Sequence, residues 1–357
     1  MKGSTDVRVG FIGSGFARRV QLPGLKLVPG ARATAVASGH RSNADAVARE
    51  FGLRAHDSGE ALAQSPDVDL VVVSSTPDTH ARFAIAALEA GKHVLCEKPM
   101  ALDAFDAAQM VTASEQHPDS TAWIDHELRY EPNRRRAREL IRSNAIGELR
   151  HIELSLKPYL RGDGRPQASD APWNWWSDAA RGGGLLGAVG SHLIDLCRFW
   201  SGSEIGYVAG LVETFIKERK DERGVVRPVT ADDFVSCVLQ TSSGVVATIT
   251  LSAVAHHGPG HLGQVTGSDG TLLVSGETTL EFGKAGGPLE DISVADDLWE
   301  QTKPNNMWAR SFVRLMREMV SVIRGGTPTG EPATFRDGWQ VQRVLDAIRG
   351  GRGVQLD

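Results

Sequence analysis

The sequence predicts an α/β protein in two parts: a doubly wound parallel sheet first, then an α+β domain on a large, mainly antiparallel open sheet. Three observations predict it. Apolar runs of strand length alternate with stretches of helical period as far as residue 125. Beyond that point, runs of period two recur between Ser-Gly and Asp-Gly turns. The 357 residues also exceed the size at which a single core usually stops growing. The expected domains are 1–125 and 126–357, with the last helix packing back on the first domain.

Residues 7–12 read as the first strand, 16–28 as a helix interrupted by Pro23, 31–37 as the second strand and 43–51 as the helix after it. The Leu-Val-Val-Val run inside 69–74 is continuously apolar, as a strand covered on both faces requires, and a helix follows over 78–90. Short strands at 93–96 and 122–125 flank a helix over 103–116. The rhythm then changes to a helix near 132–142, a strand over 149–157 and a long loop rich in Trp, Gly and Pro. Segments 233–240, 245–252, 261–267 and 271–275 alternate in polarity, and helices at about 307–323 and 335–348 close the chain.

A net charge of −5 supplies no basic excess for phosphate backbones or anionic membranes, so a small soluble partner is expected and nucleic acid is not. Cys96, Cys197 and Cys237 are odd in number, far apart and in apolar settings, which reads as reduced core thiols and a cytoplasmic location. No apolar run reaches membrane-spanning length, and residues 1–6 lack the pattern of a secretory leader.

Gly13-Ser14-Gly15 follows the first strand directly. Glycines there permit a tight turn and close approach of backbone to a pyrophosphate, whose charge the free N–H groups of the next helix hold. With a strand before and a helix after, the turn reads as a Rossmann-type dinucleotide cradle using Gly13, Gly15 and Phe16; its bland reading is a plain strand-to-helix turn. The third fingerprint position is Arg18, where Gly or Ala usually lets helix and strand pack closely. After the second strand, where an acid would hold the ribose hydroxyls of NAD, stand Ser38, Gly39, His40 and Arg41. A Ser with a nearby Arg accommodates a 2′-phosphate, so NADP is expected ahead of NAD. The alternative is that Arg41 merely caps a solvated helix start.

Glu97-Lys98-Pro99 ends another apolar run, and Gly182-Gly183-Gly184 precedes Gly190-Ser191-His192-Leu193-Ile194-Asp195. With the glycine turn, this order resembles the Gfo/Idh/MocA oxidoreductases over nearly the whole chain. Segments 102–105, 173–175 and 230–234 resemble the branch containing the glucose-fructose oxidoreductase domain proteins. The resemblance implies a nicotinamide-dependent enzyme with a Rossmann domain, assembled as a homodimer or homotetramer through the open face of the second sheet. It implies that loop 74–80 passes under the dinucleotide, with Thr76, Pro77 and His80 joining Glu97 and Lys98 as cofactor contacts. Asp78 or Thr79 reads equally well as a simple helix cap. It further implies a cis Lys98–Pro99 peptide that sets the ammonium between nicotinamide and substrate hydroxyl.

Oxidising a carbinol carbon by hydride loss requires a cation for the developing alkoxide and a base for its proton. Lys98 and His192 are the residue types for those tasks, and Asp195 lies one helical turn beyond His192 to orient it. The alternatives are a solvated lysine, a satisfied core histidine and a structural carboxylate. Many sugar and cyclitol dehydrogenases of the family carry an aspartate four residues before the histidine, and this chain has Ala188 there.

Arg129, Tyr130, Lys157, Tyr159, Arg161, Trp173, Trp175 and Trp176 offer cations and aromatic faces for a sugar-like substrate, although the tryptophans read equally as a hydrophobic plug. His256, His257 and His261 lack accompanying thiolate or carboxylate spacing, so no metal site is expected. The function expected is NAD(P)-dependent oxidation or reduction at a hydroxyl or carbonyl of a sugar, sugar acid, cyclitol or glycoside. Two alternatives are a redox-neutral NAD-dependent glycosidase and a non-catalytic dinucleotide-binding sensor or scaffold.

Overall fold

The computed structural model of the chain describes residues 6–157, 171–351 and 353–356. Six strands, β1 (Val7–Ile12), β2 (Ala31–Ala37), β3 (Arg54–Ala55), β4 (Leu70–Val73), β5 (His93–Cys96) and β6 (Ala122–Ile124), pair in the order β3-β2-β1-β4-β5-β6. Every pairing is parallel. The period of two distributes each strand's side chains between the faces. Leu70 and Val72 of β4 join Val9, Phe11, Val36, Leu95 and Trp123 in one apolar cluster, whereas Val71 and Val73 join Ile12, Ala35, Val94 and Ile124 in the other. A strand buried on both faces must be apolar at consecutive positions, which is why the Leu-Val-Val-Val run is legible.

Helices Arg41–Phe51, Gly59–Ala63, His80–Glu89 and Ala104–Gln116 connect the strands. Two start on side-chain caps: Ser58 accepts from the Ala61 N–H at 3.1 Å and Asp103 from the Asp106 N–H at 2.9 Å. The single helix expected over 16–28 is instead a π turn, Ala17–Gln21, running into the short helix Leu22–Leu25. Pro23 stands in the first turn of that helix, where its missing N–H leaves no intrahelical bond unmade.

The unit containing this sheet is Met1–Glu131 with Asp297–Trp339, so the chain leaves and returns instead of dividing once at 125. The returning helix Met307–Ile323 places Phe312, Val313, Leu315, Met316, Met319 and Val320 in the cluster with Leu22, Leu25 and Val28. Each such side chain contributes roughly 1.5–3 kcal/mol on full burial, enough to commit the helix to this sheet. The helix Phe335–Arg349 begins in this unit, with Phe335 buried in the second cluster, and ends in the other.

The second unit is Pro132–Asp296 with Gln340–Asp357. Its strands are β7 (Leu149–Lys157), β8 (Ile205–Glu213), β9 (Glu218–Lys220), β10 (Val226–Pro228), β11 (Phe234–Thr241), β12 (Val246–Ser252), β13 (Gly260–Gly267), β14 (Gly270–Ser275), β15 (Thr279–Lys284), β16 (Glu290–Asp291) and β17 (Val354–Gln355). Nine form one sheet in the order β16-β15-β14-β13-β7-β12-β11-β8-β17, and β9 with β10 makes a separate ribbon. Pairing in the large sheet is antiparallel except between β7 and β12. One face is buried through Ile152, Leu154, Val235, Cys237, Leu239, Ala247 and Ile249, and Tyr207, Leu211, Val238 and Val246 are exposed on the other. Trp200 packs against the Gly263 position on the buried face and donates its indole N–H to the Arg134 carbonyl at 3.0 Å, tying helix Ser191–Ser201 to helix Pro132–Arg142. The three cysteines are buried and free, and among the described residues no helix is long and apolar enough to cross a membrane.

Candidate active site

β1 ends at Ile12 and the chain turns at Gly13, whose φ of +116° lies where side chains with a Cβ are strained. A Cβ at Gly13 would run into the Ser74 carbonyl at the end of β4, while one at Gly15 would meet nothing within 4 Å. Backbone is thus drawn in at Gly13 and left open at Gly15, the shape a pyrophosphate cradle needs. Phe16 follows half-buried, and the Ser14 and Ser38 hydroxyls lie 3.0 Å apart across the ends of β1 and β2. Arg18 turns outward to Glu50 at 2.6 Å, so the third fingerprint position does not obstruct the sheet. His40 is exposed, whereas Arg41 pairs with Asp45 at 2.8 Å and also with Asp57. Two carboxylates on one guanidinium set a negative balance at the position expected to attract a 2′-phosphate.

Loop 74–80 is braced from within. Thr79 donates its hydroxyl hydrogen to an oxygen of the loop, with Thr76 O at 2.8 Å and Ser75 Oγ at 2.7 Å. His80 is buried with Nδ1 3.0 Å from the Pro99 carbonyl and Nε2 3.1 Å from the Ser75 carbonyl, and burial holds its pKa below the ordinary imidazole value. Expected as a cofactor contact, His80 instead ties this loop to the Lys98–Pro99 turn, because both ring nitrogens face backbone. Thr76 is half-buried and Pro77 buried beside it.

The Lys98–Pro99 peptide is cis, and the Lys98 ammonium stands 5.9 Å from the centroid of the Trp308 ring. Beneath it lies a polar network that local sequence does not announce. Glu97 Oε1 accepts from Gln21 Nε2 at 2.8 Å, the same amide reaches Asp125 Oδ2 at 3.4 Å, and Ser74 Oγ donates to Gln21 Oε1 at 2.5 Å. Burial pushes the Glu97 carboxyl up, with neighbouring Lys98 opposing, and pushes Asp125 well up with help from the charges of Glu127 and Glu97. Glu127 is raised to about 8 by burial and by Glu97. Gln21, Ser74, Asp125, Glu127 and Trp308 are the residues the motifs miss. Asp125 alone carried a signal, as an acid at the carboxyl end of a parallel strand, where such sheets bind ligands.

In the second unit, Gly184 has φ +109°, and a Cβ there would run into the Asp232 carboxylate. Asp232 accepts from the Leu186 N–H at 2.7 Å and so anchors the π turn Leu186–Gly190, which leads into helix Ser191–Ser201. His192 and Asp195 are both 1 % exposed on that helix, and Ala188 is buried in the π turn. Asp195 lies 3.6 Å from Arg198, which also grips Glu204 through two bonds of 2.7 and 2.6 Å.

Two expected substrate contacts are committed elsewhere. Arg129 is buried, paired with Asp337 at 3.1 Å and donating to the Glu331 carbonyl at 3.1 Å, and Tyr130 is buried in the first core cluster. A cation so neutralised is a structural tie and not a substrate clamp. Trp173 donates its indole N–H to the Pro228 carbonyl at 2.8 Å with Arg227 over its ring, which attaches it to the β9–β10 ribbon. Trp175 meets Trp176 edge to face at 5.9 Å, and Lys157 ends β7 half-buried. Tyr159 and Arg161 lie outside the described residues. His256 and His257 are exposed, and His261 is buried against Arg134.

Residues 7–125 match the model of an oxidoreductase family with an NAD-binding Rossmann fold, and residues 134–273 match the GFO/IDH/MocA C-terminal domain. An uncharacterized oxidoreductase of Synechocystis is 30% identical over 98% of this chain and 95% of its own. The chain belongs to the Gfo/Idh/MocA oxidoreductases. This family member is also 29% identical to the bovine glucose-fructose oxidoreductase domain-containing protein 2, over 96% of this chain and 90% of the relative. An oxidoreductase domain protein from Kribbella flavida superposes with TM-score 0.86 at 27% identity, covering 99% of this chain and 100% of that one. Levoglucosan dehydrogenase, solved with NADH and L-sorbose, shares the fold at TM-score 0.86 and 22% identity, with 99% of each chain covered. The chain is therefore an NAD-binding oxidoreductase.

Proposed function

We propose that this oxidoreductase moves hydride between NAD and a hydroxyl or carbonyl carbon of a sugar, sugar acid, cyclitol or glycoside. The observation that carries the proposal is Lys98, held at the carboxyl end of β5 beside buried Glu97, on the same sheet as the glycine cradle after β1. The names of relatives support the carbohydrate class: a glucose-fructose oxidoreductase domain-containing protein by sequence, a levoglucosan dehydrogenase by fold. The cradle at Gly13 and Gly15 and the serines at 14 and 38 fit a dinucleotide, which supplies the hydride acceptor when bound. In the proposed mechanism Lys98 stabilises the alkoxide that develops as the substrate hydroxyl loses its proton, and His192 accepts that proton. Asp195 holds the helix around His192 through Arg198.

NAD is proposed ahead of NADP, a reversal of the sequence expectation. A 2′-phosphate at Arg41 would have to displace Asp45 and Asp57 or sit against their charge. Self-association is proposed through the open sheet face bearing Tyr207, Leu211, Val238 and Val246, and sedimentation of a Leu211→Lys variant would report it. A redox-neutral glycosidase, whose transient oxidation would use the same Lys98 and His192, is the second reading, and Ala188 in place of an acid motivates a third, a dinucleotide-binding scaffold without turnover. Purified protein with NAD or NADP and a panel of sugars, cyclitols and glycosides separates the first two. Substrate-dependent accumulation of reduced nicotinamide supports net oxidation; release of aglycone without it supports the glycosidase.

A further inference from the structure

After β2, where an acid would read the ribose of a dinucleotide, the chain has Ser38. An acid does reach that place, but from the neighbouring strand. β2 and β3 run parallel with Ala35 beside Arg54 and Val36 beside Ala55, and the His56 N–H donates to the Val36 carbonyl at 2.9 Å. The same step, two residues on, sets Asp57 level with Ser38, whose hydroxyl lies 3.0 Å from that of Ser14 in the glycine turn. The Asp57 side chain is 88 % exposed, and its carboxylate meets Arg41 Nη1.

Arg41 is therefore held from two directions that are not equivalent. A guanidinium grips a phosphate through paired N–H groups, and it has two such forks: Nε with Nη2 along its side, and Nη1 with Nη2 at its end. Asp45, one turn along the same helix, takes Nε at 2.8 Å and blocks one arm of the side fork. Asp57, arriving from a different strand, takes Nη1 and blocks one arm of the end fork. With both carboxylates in place neither fork is whole, and a 2′-phosphate finds no paired contact. Removing Asp57 opens the end fork while Asp45 keeps the guanidinium oriented through Nε. Removing Asp45 opens the side fork but leaves Arg41 held only by an exposed residue of another strand.

We infer that Asp57 is the residue that excludes a 2′-phosphate from this chain: it supplies from β3 the acid that β2 lacks at Ser38, and it acts by closing the end fork of Arg41. Asp45 is then the anchor that makes Arg41 a phosphate clamp once Asp57 is gone. The inference deepens the proposed use of NAD and rests on it.

The test is equilibrium binding, without substrate or turnover. NADH and NADPH are titrated into the full chain and followed by nicotinamide fluorescence, and the ratio of the two affinities is the readout. Asp57→Asn is expected to shift that ratio toward NADPH by roughly tenfold, the lower end of what a hydrogen bond to a charged group contributes. Asp45→Asn is expected to shift it less, and Asp57→Asn made in an Arg41→Ala chain to shift it less than about twofold. A shift below about fivefold in Asp57→Asn overturns the inference, as does an equal or larger shift in Asp45→Asn. A shift of about twofold or more that persists without Arg41 overturns it too, because Asp57 would then act by general charge and not through the fork. The wild-type ratio is a separate number: a wild type that prefers NADPH refutes the proposed use of NAD, whereas the changes on substitution decide the role of Asp57.

Discussion

Replacing Glu127 by glutamine removes a proton site that folding strengthens. Its carboxyl passes from about 4.5 in the unfolded chain to about 8 in the buried cluster. Between those values the folded state binds the proton and the unfolded state does not, so this group's contribution to stability falls as pH rises, by about 1.36 kcal/mol per pH unit. Below pH 4.5 both states are protonated and the contribution is fully retained; above about 8 both are ionised and nothing further is lost. At pH 7 the accumulated cost is on the order of 3 kcal/mol. Glutamine approximates the protonated acid in shape and cannot ionise. The expected outcome is a Glu127→Gln variant of near wild-type stability at pH 5 that becomes the more stable of the two toward pH 8. Urea unfolding followed by near-UV circular dichroism at half-unit pH steps measures it, and the difference between the two curves reports Glu127 together with its effect on Asp125. Parallel curves for the two proteins would refute the reasoning, because they would mean Glu127 is ionised in the folded state throughout.

Gly13→Ala forces a side chain into the +116° backbone and the Ser74 carbonyl, so NAD affinity by fluorescence titration is expected to fall by about five- to a hundredfold, the equivalent of roughly 1–3 kcal/mol of strain. Arg41→Ala is expected to change NAD affinity less than about threefold, and a selective loss of NADP affinity would restore the 2′-phosphate role for Arg41. Arg129→Met breaks a largely buried pair with Asp337 and is expected to cost about 2–3 kcal/mol in chemical denaturation while leaving KM nearly unchanged. A large rise in KM without loss of stability would return Arg129 to the substrate pocket.

The sheets are legible because their signals are local. Leu70–Val73 is apolar at four consecutive positions, and β11 to β14 alternate between turns of Ser, Gly and Asp. The division of the chain is not local: helix Met307–Ile323 has an unmistakable apolar face, but nothing in its own sequence names the sheet that covers it. The site divides the same way. Gly13 and Lys98 stand in short motifs whose chemistry the spacing carries. Gln21 meets Glu97 across 76 residues and Asp125 across 104, and Arg129 meets Asp337 across 208. No window along the chain holds both partners, so a buried ion pair read as a substrate clamp and a buried acid went unread. His80 misled for a related reason. Its place at a helix start is visible in sequence, while the two carbonyls that enclose its ring come from separate loops.

The central claim is that Lys98 supplies the charge for chemistry at a carbohydrate carbon. Its most direct test compares wild type with Lys98→Met, measuring NAD affinity by fluorescence and turnover by reduced nicotinamide on the best sugar or cyclitol of the panel. The expected result is NAD binding within about threefold of wild type and a fall in kcat of at least a hundredfold, the size of removing one preorganised charge from a developing oxyanion. Turnover that survives the substitution at near wild-type kcat would contradict the account.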